Sequence, residues 1–226
     1  MRKFNVPIEM GRFAIRWNRF LHRFDKRDDE TPSILDVLVA QYSGPGRYYH
    51  GLWHINDGLD LLEEARRDRP EWFADPRIDA AIELAFFEHD VVYGAALEDN
   101  EKRSGELAQI HAGRLGFDVL TGASAHWYVT ATTHKRMAPT REGQIVCDID
   151  LAPLAAPWGR FCENTELVRK EYRHVRSDAL FAEGRKKFFA AMLDPEIRPV
   201  IYQTDYFRER FESRARANMQ RVVDTT

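Results

Sequence analysis

The chain has 226 residues, 44% of them hydrophobic and 31% charged, with 33 Lys and Arg against 36 Asp and Glu for a net charge of −3. That composition excludes disordered and fibrous classes, and positive charge scattered along the chain leaves no footprint for a nucleic-acid polymer. The length suits one domain over residues 1 to 226, and Cys147 and Cys162 are too few for a disulfide framework, so a reducing cytoplasm is the expected home.

The N-terminus, basic at Arg2 and Lys3, continues into Gly11-Arg12-Phe13-Ala14-Ile15-Arg16-Trp17, whose arginines break the apolar run; it does not read as a signal peptide. No apolar run approaches the roughly 20 residues of a membrane span. Apolar residues recur at three- and four-residue steps, and strand-like alternation is close to absent, so an all-α fold is expected. A first helix is predicted over about residues 10 to 24, with Phe13, Trp17, Phe20, Leu21 and Phe24 on one stripe. Thr31 reads as an N-cap with Pro32 at the first helical position, opening a helix through Ile34, Leu35, Leu38 and Val39. It ends before the turn signal Tyr42-Ser43-Gly44-Pro45-Gly46.

From Tyr48 to Arg67, the spacing of Leu52, Ile55, Leu59 and Leu62 predicts a helix carrying His50 and His54 one turn apart on one face. Beyond a loop with Pro70 and Pro76, Ile78, Ile82, Ala85 and Phe86 define a stripe on which His89 falls, pointing inward. Asp90 lies about 100° further round, close enough to converge with His89 if the helix ends there, as Gly94 suggests. Helices follow from Asp99 to Gly116 and from Ala123 to His134. A loop with Pro139 and Gly143 leads into Ile145-Val146-Cys147-Asp148-Ile149-Asp150-Leu151, and the remainder reads as additional helices with charged outer faces.

The chemistry gathers in His54, the adjacent pair His89-Asp90, and Asp150, an order H…HD…D. A divalent metal bound by imidazole nitrogen and carboxylate oxygen takes ligands from separated segments, and a His-Asp dipeptide supplies two from one point. Core hydrogen bonds and helix caps are the plain alternative. Asp148 and Asp150 face apart in a helix, so one serves as ligand, with Asp150 favoured, while the other caps a helix or orients a histidine. His50 and His54 have metalloprotease spacing, but the catalytic Glu beside the first His is missing. His50 therefore suits a substrate-binding or ligand-orienting role, with a core hydrogen bond as the dull alternative. Glu101, which shares a face with Ser104, is a candidate acid/base or a first-turn glutamate serving the helix dipole. His134 suits a phosphate contact, a second metal or the helix dipole. His111 falls off the stripe expected to face the site. Arg47, Arg169, Glu171, Tyr172 and Arg185 are candidate anion-binding and orienting groups, since a guanidinium fork matches a phosphate. His22, His126 and His174 read as surface or packing residues.

These motifs resemble the HD-domain superfamily of metal-dependent phosphohydrolases, and in particular a bacterial subgroup of predicted HD phosphohydrolases. The resemblance rests on Tyr42 to Ile55, Phe87-Glu88-His89-Asp90-Val91-Val92-Tyr93, Asp99 to Ser104, Thr130 to His134 and Asp148 to Leu151, and extends through Val168 to Tyr172, Glu183-Gly184-Arg185 and Glu212 to Asn218. It implies an HD-type helical bundle with additional C-terminal helices and a metal held by His54, His89, Asp90 and Asp150. Two departures stand out: no basic residue follows Asp150, and Gly105 replaces a common alanine.

The activity expected is hydrolysis of a small phosphate ester, with nucleotides as one candidate class, by water activated at a divalent ion (Mn, Fe, Co, Ni, Zn or Mg). Asp90, Glu101 and His134 are the expected catalytic groups, and Arg47, His50, Ser104 and Arg169 the expected substrate contacts. A dinuclear iron oxygenase using His111 or His134, and a non-catalytic metal-containing ligand sensor, are the competing readings. Exposed aromatics are compatible with a homodimer.

Overall fold

Stripes of apolar side chains at helical spacing become helices over most of the chain, as a computed structural model describes for residues 6 to 225. Ten α-helices and no strand occur among the described residues. They are α1 (Val6–Arg23), α2 (Ile34–Tyr42), α3 (Leu52–Asp68), α4 (Pro76–Glu88), α5 (Asn100–Arg114), α6 (Val119–Ala131), α7 (Arg141–Leu151), α8 (Trp158–Tyr172), α9 (Asp178–Leu193) and α10 (Asp205–Asp224). Arg2 and Lys3, part of the N-terminal reading, lie outside the described residues.

The hub is α4, where every residue from Asp79 to Glu88 is buried. A helix enclosed on all sides needs apolar residues all round, which Ala80-Ala81-Ile82 and Leu84-Ala85-Phe86-Phe87 supply. Phe87 meets Phe13 and Trp17 of α1 edge-on, at interplanar angles of 83° and 86°. On another side, α3 approaches closely at Gly58, where a Cβ would stand 2.1 Å from Cζ of Phe86. One continuous core runs from these helices through Ile145 and Ile149 of α7 to Phe207 and Met219 of α10.

Local chemistry shifts several boundaries from their predicted places. The N-cap of α2 is Ser33 and not Thr31, because Ser33 and Asp36 form a reciprocal capping box; the residue three places after Thr31 is Ile34, which has no acceptor. The side chain of Asp28 takes the next two amides, those of Ile34 and Leu35. Helix α3 begins only at Leu52, so His50 precedes it and does not share its face with His54. Here Glu171 accepts the amides of Tyr49 and His50, at 2.6 and 3.0 Å, which holds that stretch out of the helix. Helix α6 stops at Ala131, and His134 lies beyond it with φ 54°. The hydroxyls of Thr130 and Thr132 bond back to the carbonyls of His126 and Val129, a local competition that favours ending a helix.

Candidate metal centre and adjoining cavity

Each prospective ligand sits where a helix begins or ends. His54 is in the first turn of α3, His89 is the C-cap of α4, Asp90 follows it, and Asp150 is in the last turn of α7. The turn after α4 is fixed from three sides. Tyr42 donates its hydroxyl to the Phe87 carbonyl at 2.8 Å and accepts the Asp90 amide. Arg47 donates to the carbonyls of His50, Asp90 and Val91. Ser104, fully buried on α5, accepts the Val92 amide and donates to the Val92 carbonyl.

One atom from each of His54, His89, Asp90 and Asp150 lies within 4.8 Å of all the others. Nε2 of His54 and Nε2 of His89 face each other at 3.3 Å, and Oδ1 of Asp150 stands 3.1 Å from the first and 3.5 Å from the second. Oδ2 of Asp90 is 3.1 Å from His89 Nε2, yet it is buried without a hydrogen-bond partner. His89 Nδ1 is 2.9 Å from the Phe86 carbonyl, which only accepts, so Nδ1 carries a proton and Nε2 is the ring atom turned to the centre, where loss of its own proton frees a lone pair for an ion. Facing lone pairs, two carboxylates and an orphaned buried oxygen are the donor set a divalent cation satisfies. The residues fit the ion.

The titration of these groups reports the same field. Burial alone lowers the His89 pKa, but Asp90 and Asp150 outweigh it and raise it well above the ordinary value. Burial pushes the Asp90 carboxyl up, and His89 and His50 bring it net down. For Asp150 burial is likewise overcome, by hydrogen bonds from His134, His54 and His89, which hold it well below the ordinary carboxylate range. A site that stabilises positive charge on an imidazole stabilises a metal ion by the same electrostatics.

A cavity of about 720 Å³ adjoins the cluster and is lined by Asp90 and Asp150 together with His50, Glu101 and His134. Nε2 of His134 is 2.8 Å from Oδ2 of Asp150, which orients that carboxylate from the side away from His54. His50 Nδ1 is 2.6 Å from Oε2 of the buried Glu171, and the Tyr93 ring lies against His50 with centroids 4.1 Å apart. Glu171, read from the sequence as an orienting group, thus orients His50.

The expected substrate contacts divide. Only His50 of the four lines the cavity. Arg47 is committed to backbone carbonyls, and Ser104 is sealed in the core against Val92. Arg169 pairs with Glu166 and Asp178 and does not line the cavity. His111 is tied through Nδ1 to Glu88 at 2.7 Å and stands outside the four-residue cluster. Asp148 faces away from the centre and accepts the amides of Gln203 and Thr204 and the Thr204 hydroxyl, anchoring the N-cap residue of α10. The sequence reading missed Tyr49 and Tyr93 as cavity walls; their one available signal was direct adjacency to the His50 and His89-Asp90 motifs.

Fold and site define an all-α protein with a His/Asp cluster able to hold a metal ion. No family model matches the chain, and neither a curated protein nor a solved structure matches it. No helix of the described residues is long and apolar enough to cross a membrane.

Proposed function

We propose that the chain is a metal-dependent phosphohydrolase of the HD type that cleaves a small phosphate ester. The observation that carries the reading is the convergence of His54, His89, Asp90 and Asp150 at the edge of a ligand-sized cavity. A divalent ion held there supplies Lewis acidity toward a phosphoryl oxygen and an acidified water at neutral pH. Around it the protein's own groups divide the work. Asp90, with one oxygen free of hydrogen bonds, is placed to orient the attacking water. His134 holds Asp150 in its ligating orientation. His50, fixed by Glu171, lines the cavity and serves as a donor to the phosphoryl group, and Glu101, on the same wall, serves proton transfer. In the net reaction water oxygen bonds to phosphorus, the ester P–O bond breaks, and the alcohol leaves with a proton.

The test is phosphate release from a panel of sugar phosphates and nucleotides, with each candidate metal restored in turn. Release that depends on metal and vanishes in His89→Ala and Asp90→Ala is the expected result. Undiminished release in both variants would sink the proposal.

A further inference from the structure

The cavity beside the candidate metal centre holds a cation, Arg185, that no carboxylate among the described residues balances. Arg185, on α9, lines it with the guanidinium over the rings of Phe188 and Phe189, at 5.6 and 4.5 Å from their centroids. Its Nε is buried without a hydrogen-bond partner, and no carboxylate among the described residues pairs with it. Other arginines in the interior donate to protein groups, Arg47 to three carbonyls, Arg66 to Asp79 and Glu83, and Arg198, whose Nε is likewise unpaired, to the carbonyls of His134 and Ile201. The remaining basic groups on the cavity wall, Lys135 and Arg176, are exposed to solvent. Burial pulls the Arg185 pKa down from its ordinary value, the mark of a charge removed from water without a counter-ion. Such a group is costly to keep, and a planar fork in an aromatic surround is well suited to binding phosphate or carboxylate.

Position separates this cation from the metal. Arg185 lines the same cavity as Asp90 and Asp150, yet no hydrogen bond or ion pair among the described residues joins it to either, and the Tyr49 ring, 5.1 Å from that of His54, stands on the same wall. A cavity of about 720 Å³ has room for a molecule that reaches both ends. The geometry points to a substrate with two anionic ends, a phosphoryl group at the His54/His89/Asp90/Asp150 centre and a second anion, phosphate or carboxylate, held by Arg185 on α9. This inference rests on the hydrolase reading of the same site and names its substrate class.

Phosphonates test it without turnover, because their C–P bond is not an ester. Titration calorimetry on the full chain with Mn²⁺ compares phenylphosphonate with its 4-carboxy and 4-phosphono derivatives, and repeats the series on a flexible butyl chain. The expected result is that a doubly anionic probe binds about tenfold tighter than its singly anionic parent, and that Arg185→Gln cuts the ratio below about threefold. The carboxy and phosphono arms report which anion is preferred. Arg185→Lys keeps the charge and retains part of the ratio, so loss of fold cannot imitate the effect, and Arg173→Gln, on the surface, leaves the ratio unchanged. Equal affinities for one- and two-anion probes in the native chain, or a ratio preserved in folded Arg185→Gln, overturn the second site. Arg185-dependent binding with no phosphate released from any ester overturns the hydrolase reading alone. Turnover of singly anionic esters with a ratio near one overturns only the second anion.

Discussion

Asp148 and Asp150 stand two positions apart on α7 and serve unrelated ends. Asp150 turns to the histidines of the candidate metal centre, and Asp148 turns away to take three hydrogen bonds from Gln203 and Thr204 at the start of α10. Helix geometry separates the two faces in the sequence, but the partner of the second face lies too far along the chain for any local pattern to name it. Asp148→Ala leaves two amides and a hydroxyl unpaired in the interior and is expected to cost about 2 to 4 kcal/mol in urea unfolding. Its metal content is expected to stay that of the native chain, which separates it from Asp150→Ala. Metal loss from Asp148→Ala while it remains folded would show the two aspartates to be one unit. Ser104 gives the opposite lesson. Its predicted face is right and its role is not, because the Val92 backbone, which no spacing argument weighs, claims the hydroxyl.

At the scale of elements, helices were legible wherever one face is apolar, and their ends were legible less often. The stripe on α1 and the enclosed run on α4 follow from periodicity, whereas the late start of α3 depends on Glu171, more than a hundred residues away. His50 therefore lies before α3 and not on it, and it lines the cavity. Close packing of α3 on α4 depends on Gly58, since a Cβ there overlaps the Phe86 ring, and Ile149 Cγ2 stands 3.1 Å away on another side. Gly58→Ala is expected to destabilise the chain by about 1 to 3 kcal/mol, read as a lower urea midpoint. Because the carbonyl of Phe86 orients His89, the same variant is expected to hold metal less tightly. An unchanged midpoint would mean that the ring turns aside freely.

For the whole molecule, the all-α class was readable from composition and periodicity, and the His54/His89/Asp90/Asp150 cluster from residue types and order. The cavity was not, because its walls come from α5, α7, α8, α9 and the segments before α3, after α4, after α6 and after α7, which only tertiary packing brings together. Stability at this scale carries a pH signature from Glu83. Burial dominates the two arginines beside it, Arg66 and Arg23, and pushes its carboxyl from 4.5 to about 7. The folded chain therefore holds this proton more tightly than the unfolded one between those values, so the contribution is present below pH 4.5 and fades as pH rises to about 7. The loss amounts to at most about 3 kcal/mol, and Glu83→Gln is expected to flatten that part of the stability profile; an unaltered slope would show the carboxylate to be ionised throughout. The claim on which the whole account depends is that the helix ends gather a metal. Its most direct measurement is the metal content of the freshly purified chain beside His89→Ala. About one divalent ion per native chain and none in folded His89→Ala is the expected result. Equal metal in both, or none in the native chain after incubation with any of the candidate ions, would contradict it.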